Sequence, residues 1–168
     1  MGNRQKITLL AGLTVLAMLF SGVLFFLNFG QSMKDPFSAH DREQALTPLY
    51  YPITLPYDYR IENGSVDHPE KGITTLTMRS NTHPTLYMSQ QAVPNGFNMT
   101  TFYKNFEKPR KVVSTVGKII IGTVKDGDRI QKLASITTKD KTWIIVNAEP
   151  KVDMDVLQTV ATNLTKSR

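Results

Sequence analysis

The chain has 168 residues, with 20 Lys and Arg against 14 Asp and Glu, a formal charge of +6, 40% hydrophobic residues and no cysteine. That suits one domain, and it is too apolar and too weakly charged for a disordered chain. Zero cysteine excludes a disulfide framework, thiol chemistry, a Cys-ligated zinc site and a lipid-bearing cysteine. The mean hydropathy of −0.22 averages two unlike regions. No charged side chain lies between residues 7 and 33, whereas all 14 acids and 18 of the 20 bases follow.

Residues 7–29 (ITLLAGLTVLAMLFSGVLFFLNF) contain only Thr8, Thr14, Ser21 and Asn28 as polar members. A helix of 23 residues at about 1.5 Å each covers a hydrocarbon core of roughly 30 Å, so the stretch predicts a transmembrane helix. A cleaved signal peptide shares the basic start (Arg4, Lys6) but has a shorter core and a small-x-small cleavage site, which the residues after Leu27 lack. The reading is an uncleaved anchor behind a short cytoplasmic head, 1–6. Counting bases alone gives a near tie across the span. The short basic head and the long following domain favour an amino terminus inside and a carboxy-terminal domain outside.

Residues 30–52 mix small, polar and proline residues and read as a linker or stalk, with a capping start at Ser38 for a short helix reaching Leu46. Beyond it, 57–62 alternates into the Asn63-Gly64 turn, and 73–79 (ITTLTMR) and 85–91 (TLYMSQQ) read as strands. Residues 118–124, 129–137 and 142–147 predict a meander with tight turns, hence an antiparallel sheet. Residues 98–106 predict a helix with Met99, Phe102, Tyr103 and Phe106 on one face and Asn98 as N-cap. In the tail, Val156, Leu157, Val160, Ala161 and Leu164 follow a 3.6-residue period, and Asp153 and Asp155 sit where a helix start favours negative charge. The predicted fold class is α+β: an N-terminal transmembrane helix, then an extracytoplasmic domain over 53–168 in which an antiparallel meander is packed by one or two helices, including a C-terminal amphipathic one.

The order Leu55-Pro56-Tyr57-Asp58-Tyr59, a late-strand Trp143 and a closing helix over 155–161 (DVLQTVA) resembles a bacterial family of membrane-anchored extracytoplasmic domains of unknown function. Such domains are sometimes found at the ends of anti-sigma-factor-like proteins. Asp58 stands where that family usually has glycine. The resemblance covers roughly 53–165 and implies a binding or sensing domain with no catalytic residues to carry over.

Chemistry-bearing motifs are scarce. There is no Gly-x-Ser-x-Gly elbow and no Ser-x-x-Lys. His40, His68 and His83 lie in polar stretches without metal-ligand spacing and read as solvated loop histidines. Asp126-Gly127-Asp128 is followed by Arg129 and Lys132 rather than further oxygen ligands, which favours a hairpin over a calcium loop. Gly117-Lys118 lacks the rest of a phosphate loop. Trp143 reads as core, and nothing calls for a cofactor or a metal.

Charge is more informative. Residues 31–103 carry five bases and seven acids, residues 104–141 ten and four, and residues 142–168 three and three. Lys104, Lys108, Arg110, Lys111, Lys118, Lys125, Arg129 and Lys132 form a candidate polyanion-binding patch, against the plainer reading of bases alternating outward to keep a sheet soluble. Outside a cell the fitting partners are the bilayer itself, through 7–29, a membrane or envelope protein, or an anionic envelope polymer. The predicted topology argues against nucleic acid despite nearby Phe102, Tyr103 and Phe106. The expectation is a non-enzymatic, single-pass protein at the plasma membrane with an extracytoplasmic binding or sensing domain. The alternatives are a small envelope hydrolase with a non-local catalytic site and a structural subunit of a membrane complex.

Overall fold

The computed structural model describes residues 32–168. In chain order these form α1 (Ala39–Gln44), β1 (Tyr50–Pro52), β2 (Arg60–Ile61), β3 (Asp67–Glu70), β4 (Ile73–Arg79), β5 (Leu86–Ala92), α2 (Met99–Lys104), β6 (Phe106–Val113), β7 (Gly117–Asp126), β8 (Arg129–Thr138), β9 (Thr142–Ala148), α3 (Met154–Thr162) and β10 (Leu164–Lys166).

Alternation sets the main sheet. Thr74, Leu76 and Met78 of β4 and Leu86, Met88 and Gln90 of β5 are buried on one face, and Ile144, Val146 and Ala148 continue that face on β9. The order is β2-β4-β5-β9-β8-β7-β6, all antiparallel, with β3 sharing the outer edge of β4 with β2. The long-range pairing is β5 with β9, seven residues from Leu86↔Ala148 to Ala92↔Thr142, which joins the first hairpin to the meander.

The inner face is closed from two directions. The apolar stripe of α3, Val156, Leu157, Val160 and Ala161, lies in the core together with Phe37, Leu49, Tyr50 and Leu55 from the N-terminal segment. Each Val, Leu or Phe among them removed from water contributes roughly 1.5–3 kcal/mol. A second sheet, β1 with β10, is a two-stranded ribbon belonging to this layer. Asp35 fastens its ends, accepting hydrogen bonds from Ser167 Oγ at 2.7 Å, the Phe37 amide at 3.0 Å, Arg42 at 3.0 Å and the Arg168 amide at 3.3 Å. Burial alone would raise the Asp35 carboxyl; these donors outweigh it and hold the group below the ordinary carboxylate value.

Two sequence expectations are corrected. The domain is not α+β: strands occupy 46% of the described residues and helices 15%. Residues 106–113, rich in charge and containing Pro109, form the edge strand β6, and β1, β3 and β10 are short strands that the sequence reading does not predict. The predicted helix over 98–106 stops at Lys104, where Asn105 caps it and β6 begins. Among the described residues no helix is long and apolar enough to cross a membrane, and the stretch 7–29 lies outside them.

The expected stalk is also part of the body. Ser38 caps α1 through a capping box with Asp41, Ser32 bridges Thr54, and Phe37, Leu49 and Tyr50 are buried.

Candidate anion-binding face

On the outer face α2 covers the β6–β8 half of the sheet. Asn98 caps it by accepting from the Thr101 amide at 3.0 Å. Phe102 and Tyr103 then pack on a small cluster of Phe106, Ile120 and Leu133. Trp143 completes it, its ring 4.7 Å from Phe97 and 5.4 Å from Phe102. One hydroxyl organises the polar tips: Ser135 Oγ accepts from Trp143 Nε1 at 2.9 Å and lies 3.2 Å from the Tyr103 hydroxyl. Lys118 Nζ stands 5.6 Å from the Tyr103 ring centroid, within reach of its negative face.

Register decides where each base goes. Ile119 and Ile121 are in the inner core, so Lys118 and Ile120 point outward, and Lys111, opposite Ile120, points outward with them. Arg110, opposite Ile121, faces inward and meets Asp155 of α3 at 3.3 Å. Lys125 pairs with Glu107 at 3.2 Å, and Lys132 Nζ donates to the Val152 carbonyl at 2.6 Å. Lys108 sits at φ 48° where the β6–β7 register shifts, and Lys104 ends α2. Lys118 is opposite Thr137, eight residues from Arg129 along β8, so those two bases stand about 27 Å apart.

The structure does not bring the eight bases of the candidate patch together. Lys104, Lys111 and Lys118 share the outer face beside α2. Arg110, Lys125 and Lys132 are engaged elsewhere, and Arg129 occupies a separate corner. None of the ion pairs among the described residues involves Lys104, Lys108, Lys111 or Lys118.

His40 and His83 are exposed, as the sequence suggests, although the His83 ring also lies 4.6 Å from Tyr57 and 5.9 Å from Tyr59; His68 departs from that reading. His68 Nε2 lies 3.0 Å from Asp41 Oδ1 while its Nδ1 lies 3.2 Å from Thr74 Oγ1. An acid, an imidazole and a hydroxyl in a row suggest hydrolysis, yet Thr74 is only 1% exposed, so its oxygen has no approach for a substrate. The chain fastens α1 and β3 to β4. Nothing local in the sequence signals it, since Asp41 and His68 are 27 residues apart. Among the described residues no group of three His, Asp or Glu could hold a metal ion.

The fold and its outer face define an antiparallel β-sheet domain with a basic, aromatic surface. No family model, no curated protein and no solved structure matches the chain.

Proposed function

We propose that this protein is a non-catalytic binding module, held at a membrane through its apolar 7–29 stretch with the domain outside the cytoplasm, and that it retains an anionic envelope partner on the α2 side of its sheet. The observation that carries this reading is the division of the bases: those facing inward are tied down, whereas Lys104 at the end of α2, and Lys111 and Lys118 at outward positions beside it, have no carboxylate partner among the described residues, and Lys118 lies by the half-buried Tyr103 ring. Such a cluster attracts phosphate or carboxylate polymers, with a strength that falls as salt rises. The membrane part rests on sequence: 7–33 carries no charge, and bases precede it.

The test is elution of the purified full-length chain from a polyphosphate matrix in a salt gradient. Reversal of Lys104, Lys111 and Lys118 to Glu should advance elution to lower salt far more than the same reversal at Lys34, Arg60 and Lys71, which changes net charge equally. Equal advances would assign retention to overall charge and end the proposal. Protease added outside intact cells should digest the domain.

A further inference from the structure

At the opposite corner of the outer face, where β9 ends and β8 begins, Tyr87, Arg129, Ile130, Asn147, Glu149 and Pro150 line an open cleft of about 260 Å³. Tyr87 pairs with Asn147 across β5 and β9, so both side chains rise from the same sheet row. Tyr87 is 55% exposed, a large apolar ring left in water on the wall of the cleft, with Pro150 beside it, whereas Ile130 shares the inward register of Ala134 and Ile136 and borders the cleft without turning its side chain to that wall. A guanidinium and a carboxylate line it too, and Arg129 and Glu149 are not paired with each other.

We propose that this cleft binds a zwitterion of amino-acid or dipeptide size, its carboxylate on Arg129, its ammonium on Glu149 and its apolar side chain against Tyr87 and Pro150. Charge complementarity selects this class. A polyanion meets Glu149, a polycation meets Arg129, and a wholly apolar ligand would desolvate both charges without pairing either. A ligand carrying both charges satisfies both walls, and the guanidinium presents the flat fork of donors that a carboxylate accepts. The Asn147 and Gln131 amides add a donor and an acceptor each for the ligand's remaining polar atoms. A few convergent polar groups in an otherwise apolar concavity are the usual composition of a small-molecule site. The cleft is about 27 Å from Lys118 along the sheet, so this site and the anion-binding face stand or fall separately.

The experiment is a titration of the ¹⁵N-labelled full-length chain in detergent micelles, read by amide shifts of Tyr87, Arg129 and Asn147. The probes are leucine, leucyl-leucine, N-acetyl-leucine and leucine amide. Leucine or leucyl-leucine should give saturable shifts at these residues, and both blocked probes should bind at least tenfold more weakly. Arg129→Gln should remove the preference for leucine over leucine amide, and Glu149→Gln the preference over N-acetyl-leucine; both side chains are exposed, so the fold is spared. Lys118→Glu should leave the titration unchanged. No saturable shift up to about 10 mM, or blocked probes binding as well as leucine, overturns the assignment.

Discussion

Gln90 holds the backbone of Tyr50 with both ends of its amide. The Tyr50 N–H donates to Gln90 Oε1 at 2.7 Å, and Gln90 Nε2 donates to the Tyr50 carbonyl at 3.1 Å. At 2% exposure on the inner face of β5, the side chain takes the place of a neighbouring strand and fastens the β1–β10 ribbon to the main sheet. Gln90→Leu keeps the volume and removes both bonds, leaving a buried donor and acceptor unmet. It should cost about 2–5 kcal/mol in urea unfolding; an unchanged midpoint would show that the ribbon is held by apolar contacts alone.

Ser135 is the shared acceptor beneath α2, and the chain's single tryptophan donates to it. Ser135→Ala strands the Trp143 N–H in a buried setting. The expected result is a loss of about 1–3 kcal/mol and a blue shift of the Trp143 emission. Because the hydroxyl also meets Tyr103, the same change should weaken the seat of α2 and speed amide exchange over 99–104.

Gly117 opens β7 against the end of β8. A Cβ there would overlap the Thr137 carbonyl oxygen and lie 2.8 Å from Thr138 Cα, backbone atoms that cannot rotate aside. Gly117→Ala should lower stability by about 1–3 kcal/mol or more. The damage should concentrate where Lys118 pairs with Thr137, so polyphosphate retention falls with it.

Asp58 joins the 56–59 loop to the 80–84 loop by accepting hydrogen bonds from the Ser80 hydroxyl, from the Asn81 amide at 2.8 Å and from the Thr82 hydroxyl at 3.1 Å. The Ser80 bond first, then the Asn81 amide, pull its pKa from 3.8 down to about 2. Close by, the Tyr59 hydroxyl donates to the Pro84 carbonyl at 2.6 Å, and burial, aided by the Asp58 charge, pushes that phenol up to about 12. A carboxyl depressed in the folded state stabilises it fully above pH 3.8 and loses that contribution as pH falls through about 2. Asp58→Asn should therefore flatten the pH dependence of the unfolding midpoint between those values. A profile identical to that of the parent chain would show the clamp to be idle.

The sequence is most legible where one face is buried and the other is wet. In β4, ITTLTMR alternates so cleanly that both ends are read correctly, and the meander strands follow from the same period and their turns. The β6 strand is illegible because Phe106 is its one buried residue and the five residues after it are the charges and proline suited to an edge, before Val112 and Val113 close it. Pro36, Pro48 and Pro52 make 30–52 look like a stalk, and only the three-dimensional partners of Phe37 and Leu49 show otherwise. The basic excess is visible in the sequence, but its division between two faces depends on a register that composition does not carry. Arg110 and Lys111 are neighbours in the chain and face opposite sides of the sheet.

The Asp35 clasp also orders events during synthesis. Asp35 and Arg168 are 133 residues apart, yet residues 164–168 supply the strand that pairs with β1, the Ser167 amide that bonds Leu49 and two of the donors to Asp35. At roughly 5–20 residues per second, the 32–52 segment waits on the order of 6–27 seconds after emerging before its partners are made. For that interval Phe37 and Leu49 have no complete layer to enter, and a chaperone or the nascent sheet itself must keep them from other chains. Closure waits on β10 and the residues just after it, which meet the segment only once the rest of this fold has been made.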